Sequence, residues 1–349
     1  MTRFPARPLS RLFSRAVSRA TRLSGLSLEF RPDELYRVPT EDGAAIALGR
    51  YRPRGVPQRF AEPVVLCHGL GTNRFALDFD ERHSLARHLA RKGFEAWVVE
   101  LRGRGLSGEP LPSTTFDEQA EFDVRAALRA VLSTGPEQVS WVGHSKGGLL
   151  AYAHLARFPQ SRVRALVTLG SPVRFDVQRG LRAFVRALGP LLERDVVPLS
   201  PAATLAPFGA PPGPVTRALL RQANVAPDVL RRALANLPTD IAGGVARQLA
   251  RWVEEGAFDA NDGFDYRAGL SALQMPVLLV AGARDVLAPP PAVLAARERL
   301  GGPTSVLVAG KAHGFSEDYG HGDLLLGRNA PEEVFPAIET FLSRHSTRL

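Results

Sequence analysis

Apolar residues along the chain fall into two alternating rhythms. A short continuous apolar run occurs at Val64–Leu66, and mostly apolar ones at Glu95–Leu101, Val139–Val142 and Ala165–Leu169, as strands buried on both faces require. Between them, Asp80–Lys92, Phe116–Ser133 and Leu149–Phe158 carry apolar residues every three or four positions, the period of a helix with one buried side. Strands alternating with helices at this spacing predict βαβ units and a mostly parallel sheet flanked by helices. Ahead of them, Tyr36–Thr40 and Ala45–Tyr51, joined by Glu41-Asp42-Gly43, read as an antiparallel hairpin at the sheet edge.

The alternation stops at Pro172. From there to about Ala268 only helical patterns and proline-rich turns occur, at Arg179–Leu192, Pro214–Gln222, Pro227–Ala235 and Thr239–Glu255. The rhythm resumes with a strand at Val277–Ala281, a helix at Pro291–Leu300, a strand at Ser305–Ala309 and a closing helix at Pro331–Leu342. The predicted organisation is therefore an N-terminal arm (1–30), a first core segment (31–171), a helical lid or cap (172–268) and a second core segment (269–349). The natural partner for the apolar faces of the cap is the top of the sheet. No internal repeat interrupts this plan, and no run of about 18 uncharged apolar residues predicts a membrane-spanning helix. The N-terminus lacks the apolar centre of a secretory signal, so a cytoplasmic location is expected.

Composition narrows the field further. The 349 residues are 45% hydrophobic, enough for a sizeable core. The formal charge is +9, with only three lysines among the 44 basic residues. The basic bias is spread over the whole chain, and no aromatic stacking module accompanies it, so no nucleic acid is expected as a partner. Cys67 is the single cysteine, which excludes an intrachain disulfide and a multi-cysteine metal site. Residues 1–28 contain no acid, and Arg3, Arg7, Arg11, Arg15 and Arg19 recur every four positions opposite Leu9, Leu12, Phe13, Ala16, Val17, Ala20 and Leu23. Such a basic amphipathic helix suits peripheral contact with an anionic membrane, or equally a cover for an apolar patch of its own domain.

The candidate chemistry centres on Val139–Leu150, VSWVGHSKGGLL, which runs from a buried strand through a sharp turn into a helix. Gly143-His144-Ser145-Lys146-Gly147 fits a nucleophile elbow: Gly143 and Gly147, two positions either side of the serine, let the backbone fold tightly. A serine hydroxyl needs a base to take its proton and an acid to orient that base. Asp285 directly follows the strand Val277–Ala281 and is the best acid, although an aspartate there also suits a turn or a helix cap; Asp318 and Asp323 are alternatives. His313 and His321 both follow the last strand, and spacing favours neither. The oxyanion formed during acyl transfer needs two backbone N–H groups. Lys146 offers one, and Leu70, in His68-Gly69-Leu70-Gly71, offers the other; Gly69 eases close approach, and His68 is read as shaping that loop.

These motifs together resemble the α/β-hydrolase fold, of the acid lipase and carboxylesterase type. The resemblance rests on the His68-Gly69 element, the GHSxGG elbow at 143–148, an acid after the penultimate strand, the chain order Ser, Asp, His, and the tract YGHGDLLLGRNAPEEVFPAI at Tyr319–Ile338. It implies that His321 is the catalytic histidine, with His313 the alternative base. It also implies a serine hydrolase that cleaves acyl or lipid-like esters of small molecules through an acyl-enzyme, with no metal or organic cofactor. Thioesterases and acyltransferases pass through the same intermediate, and a catalytically silent lipid- or membrane-binding member is a further alternative. The chain departs from the pattern at Lys146, where many relatives carry an apolar residue, and in a longer loop before His321.

Overall fold

The computed structural model describes residues 2–3, 25–108, 111–176, 194–199 and 220–349, together with positions 182, 185 and 189. The basic arm therefore lies almost wholly outside the described residues, as do most of the segments 179–192 and 214–222 that read as helical.

Among the described residues nine strands form one sheet. In chain order they are β1 (Thr2–Arg3), β2 (Glu34–Pro39), β3 (Ala45–Tyr51), β4 (Val64–Cys67), β5 (Ala96–Glu100), β6 (Val139–His144), β7 (Val163–Leu169), β10 (Val277–Gly282) and β11 (Thr304–Ala309), while the short strands β8 (Val196–Val197) and β9 (Ile241–Ala242) pair separately. The spatial order is β1-β2-β3-β5-β4-β6-β7-β10-β11. Strands β5 to β11 in that order are parallel, and the β2–β3 hairpin joins antiparallel to β5. The hairpin stands at the end of the sheet as its alternation predicts, with Thr2–Arg3 paired outside it.

The elbow strand β6 sits in the middle of the sheet and is buried along its whole length. Its flanking helices cover both faces, which explains the mostly apolar runs. Helix α1 (Leu85–Arg91) starts later than the periodicity of 80–92 predicts. Asp80 accepts from the backbone N–H of His83 at 2.8 Å, and Ser84 caps the helix by accepting from Arg87 N–H. These short polar side chains satisfy the backbone locally, so the first turn never forms. His83 accordingly lies before the helix. Helix α2 runs continuously through Phe116–Glu118, a π-helical turn at Gln119–Asp123, and Val124–Leu132. After β10, the helix predicted at 291–300 divides into Pro290–Leu294 and a 3-10 turn at Ala295–Glu298. The closing helix spans Ala330–His345.

In the segment between Pro172 and Ala268, helices occur at Pro227–Asn236 and Gly243–Glu255. The second starts four residues later than its apolar pattern, because Ile241–Ala242 is drawn into pairing with Val196–Val197. The helix Gly243–Glu255 is bound firmly to the core through Trp252, which is 1% exposed and packs with ring centroids 4.8 Å from Phe116, 5.1 Å from Phe258 and 5.5 Å from Phe175. Its indole N–H donates to the Asp259 carbonyl at 2.8 Å. Truncating it leaves a large void and removes the shortest hydrogen bond to the Asp259 carbonyl, which keeps longer ones from Gln248 and Arg251 at 3.4 Å. Trp252→Ala is expected to destabilise the protein by about 3–5 kcal/mol, read as a lower midpoint of chemical denaturation. A shift below about 1 kcal/mol, the size typical of an ordinary point mutation, would show that this helix is not part of the cooperative core.

Candidate active site

Ser145 stands between β6 and the helix α3 (Lys146–Arg157), with φ 53° and ψ −119°. It is the only non-glycine residue with positive φ among those described, a conformation that costs of order 1–3 kcal/mol and persists only where the surroundings enforce it. They do so here. Its N–H donates to the Leu169 carbonyl at 2.7 Å, and its own carbonyl accepts from Gly148 N–H at 3.0 Å and from Ser171 Oγ–H at 2.8 Å. A Cβ at Gly143 would lie within 3.0 Å of the Gly147–Gly148 backbone, and one at Gly147 within 3.0 Å of the carbonyls of Cys67 and His68. Both glycines are thus steric requirements of the turn rather than flexible points.

Asp285 and His321 come together at the same rim. His321 Nδ1 lies 2.7 Å from Asp285 Oδ2, and both residues are buried. The other carboxylate oxygen of Asp285 accepts from Leu287 N–H at 2.9 Å and Ala288 N–H at 2.8 Å. Because the carboxylate can only accept, Nδ1 of the neutral imidazole carries the proton and Nε2 is left with its lone pair. Burial opposes charging of His321, but Asp285 outweighs it and holds the histidine pKa above 6.5. His313, by contrast, lies exposed on the 3-10 turn Lys311–His313, while the Asp285 carboxylate is engaged by His321. Asp318 accepts from Lys311 N–H at 2.9 Å. Asp323 accepts from Gly320 N–H at 2.8 Å, Arg221 N–H at 3.1 Å and Asn224 Nδ2–H at 2.8 Å. It pins the loop that carries His321 rather than the imidazole itself.

The loop after β4 passes directly beside the elbow, since a Cβ at Gly69 would come to 3.1 Å from Ser145 Cβ. His68 is fully buried. Its Nε2 accepts from Leu101 N–H at 3.4 Å, so its Nδ1–H donates to the Gly69 carbonyl at 3.0 Å. Burial, then the cations Arg104 and Lys146, hold it well below 6.5 and therefore neutral. The Leu70 side chain packs on Val197, Ile241, Ala242, Val245 and Ala246, and the Gly71 carbonyl accepts from Thr239 N–H at 2.9 Å. The loop that carries Leu70 thus lies against the elbow at Gly69, and Lys146 follows Ser145 at the start of α3.

Two residues that sequence reasoning passed over shape this centre. Gly170, φ +58°, ends β7, and a Cβ there would lie 3.1 Å from His321 Nδ1 and 3.2 Å from Asp285 Oδ2. His144, the variable position of the elbow motif, places its ring 4.9 Å from that of His321 and donates from Nε2 to the His321 carbonyl at 3.1 Å. Burial, then the His321 charge, press its pKa down to about 3, so it stays neutral. The strand-ending Gly170-Ser171-Pro172 was the available signal for the first, and the histidine of the GHSxGG pattern at 143–148 for the second.

The comparisons with known proteins agree with this architecture. Residues 62–326 match the family described as the alpha/beta hydrolase fold, and the chain belongs to that family. Similar proteins include the lysosomal acid lipase/cholesteryl ester hydrolase of Macaca fascicularis, 29% identical over 47% of this chain and 45% of the lipase. The chain thus spans less than half the length of that lipase. The pimeloyl-[acyl-carrier protein] methyl ester esterase of Aliivibrio salmonicida is 28% identical over 65% of this chain and 75% of the esterase. Among solved structures, an esterase from Exiguobacterium antarcticum superposes with a TM-score of 0.62 at 20% identity, covering 88% of this chain and 98% of the esterase, a likeness of fold.

The space left at residue 170 can be tested without any substrate. Gly170→Ala forces a left-handed L-residue, at a cost of about 1–2 kcal/mol, and drives a methyl group onto the imidazole–carboxylate pair. The low-field proton resonance of His321 Nδ1–H is expected to be lost while the fold persists by circular dichroism; an unchanged resonance would show that the pair tolerates the methyl group.

Proposed function

We propose that the protein is a carboxylic ester hydrolase in which Ser145 attacks the ester carbonyl, His321 takes the hydroxyl proton through Nε2 and delivers it to the leaving alcohol, and Asp285 stabilises the imidazolium. The observation that carries this reading is the Asp285–His321 hydrogen bond at 2.7 Å at the rim where the strained Ser145 elbow stands. Water then completes the cycle by the same base, regenerating the serine. The amides of Leu70 and Lys146 receive the carbonyl oxygen as it becomes an anion. No step calls for a cofactor.

Two features support an acyl or lipid-like substrate. The apolar cluster of Val197, Ile241, Ala242, Val245 and Ala246 lies against Leu70 and Leu199, immediately above the oxyanion loop. Residues 236–241 hold that loop directly: Asn73 Nδ2–H donates to the Asn236 carbonyl at 2.7 Å, and a Cβ at Gly71 would touch Leu199 and Ile241. The segment 172–268 thus acts as a lid whose apolar side receives an acyl chain. The names of the lipase and the methyl ester esterase point the same way.

Hydrolysis of p-nitrophenyl esters of graded chain length tests this reading. Ser145→Ala is expected to lower kcat by about a thousandfold or more, and Asp285→Asn by a comparable factor through loss of the productive tautomer. Variant rates equal to the parent's would overturn it. The pH dependence has a defined sign. The base works only as neutral imidazole, so kcat/KM rises with pH through the His321 pKa, with a midpoint above 6.5. A midpoint below that value would show that Asp285 does not govern the histidine. Thioesters and added alcohol acceptors in the same screen separate a thioesterase or an acyltransferase.

A further inference from the structure

The side chain of Lys146 has no part in the chemistry above, although its amide does. It turns inward from the start of α3 and is 4% exposed. A buried ammonium ordinarily requires a carboxylate, yet among the described residues none lies within ion-pair distance of it. Asp123, whose field it feels, is taken by Arg102, through Nε at 2.6 Å and the backbone N–H at 3.1 Å. The ammonium instead donates to the neutral Gln119 side-chain oxygen at 2.5 Å. Gln119 opens the π-helical turn 119–123 of α2, the kind of one-residue widening found frequently at functional sites.

The groups facing Lys146 come from each element packed around it: Cys67 from β4, Arg104 from the turn after β5, and Gln119 and Asp123 from the π turn. Burial first, then Arg104, press its pKa down to about 7. Burial pushes the Cys67 thiol up to about 12, and His68 is held neutral. Arg104 and Asp123 are therefore the charges that bear on it near neutrality. A Cβ at Gly147 would meet the Cys67 and His68 carbonyls, so the first turn of α3, from which the Lys146 side chain turns inward to Gln119, is packed on the end of β4 and the loop that leads to Leu70, where the lysine charge is felt at Cys67 and His68.

We propose that Lys146 is a positioning residue for ester hydrolysis: its buried ammonium, tethered to Gln119, adds positive potential behind the Leu70 and Lys146 amides, so that oxyanion stabilisation depends on its charge. The proposal rests on the acyl-enzyme reading above. A cation one step behind two aligned amides strengthens them most when negative charge develops on the substrate, so it acts on kcat rather than KM. The signs are opposed: rising pH frees the base His321 but discharges Lys146. The outcome is a bell-shaped kcat/KM profile with a descending limb near neutrality.

With lysines only at 92, 146 and 311, the intact protein labelled with [13Cε]lysine yields three resonances. That of Lys146 is expected to titrate near 7, and Lys92 and Lys311 are both exposed. Gln119→Glu places a carboxylate beside the ammonium and is expected to raise the Lys146 midpoint by at least about one unit, moving the descending limb with it. Lys146→Met is expected to lower kcat about tenfold at neutral pH, with KM changed less than about twofold, and to abolish the limb. A Lys146 midpoint at the ordinary lysine value of about 10.4 overturns the proposal, as does an active Lys146→Met enzyme with the parental profile. Gln119→Glu and the titration decide the matter should the methionine variant not fold. A parent without esterase activity overturns the hydrolase reading and this proposal with it, whereas an active parent with an unshifted lysine overturns this proposal alone.

Discussion

The backbone at residue 145 is the constraint on which the rest of the site depends. A φ of 53° with ψ −119° places an L-residue where its own Cβ opposes the neighbouring backbone, a cost that the helical bonds to its carbonyl from Gly148 and Leu149 do not remove. The strain is held from outside, by the Leu169 carbonyl of the adjacent parallel strand and the Ser171 hydroxyl beyond it. Those partners exist only because β6 and β7 run side by side in register, Gly143 opposite Thr168 and His144 opposite Leu169. The parallel sheet is therefore the source of the serine's geometry, and Gly143 and Gly147 are what that geometry requires of the sequence.

The same two strand ends order the polar groups. In front of the elbow, Asp285 and His321 are buried together, and a histidine that burial alone would keep neutral is made basic by its carboxylate. Behind it, the balance is reversed: Lys146 and Arg104 are buried without a dedicated carboxylate, and both lose basicity, Arg104 to about 10. Negative charge is thus kept on the side of the base and positive charge on the side of the amides that would meet an oxyanion. An arrangement with these polarities reversed would neither make the histidine a better base nor favour negative charge on the substrate.

How much of this was legible depended on the range of the interactions involved. The strands read correctly because burial on both faces of a parallel sheet leaves a mostly apolar run, a purely local signal. Asp285 and His321 were legible as candidates because strand ends in such a sheet converge on one rim, although choosing His321 over His313 took the family resemblance. Failures occurred where a distant partner overrode a local pattern. Residues 80–84 have helical apolar spacing but are claimed by Asp80 and Ser84, and Ile241–Ala242 is claimed by Val196–Val197. Gly170 and His144 escaped because what they do is defined by residues 321 and 285, more than a hundred positions away, and no spacing rule reaches that far. The π turn at 119–123 is equally silent in the sequence, because an inserted residue shifts the helical phase without breaking the helix.

The segment between Pro172 and Ala268, proposed above as a lid, is joined to the rim that carries Ser145, Asp285 and His321 in three places, and the differences between them bear on how such a lid would open. Trp252 anchors the helix Gly243–Glu255 through an aromatic cluster with Phe116, Phe175 and Phe258. Moving it would expose several large rings at once, so this end behaves as a hinge base. The turn Arg221–Asn224 instead meets the histidine loop through hydrogen bonds to the Asp323 carboxylate and to the Asp318 carbonyl, and residues 236–241 meet the loop after β4 through hydrogen bonds at Asn73 and Gly71 and through the packing of Leu70 on the cluster that includes Ile241. Polar contacts of this kind exchange for water at little net cost, about 1 kcal/mol each. A ligand entering between those two loops would therefore displace the polar attachments before the aromatic one. The loops carrying His321 and Leu70 would feel its arrival directly, because the segments that would release the proposed lid are bonded to those two loops.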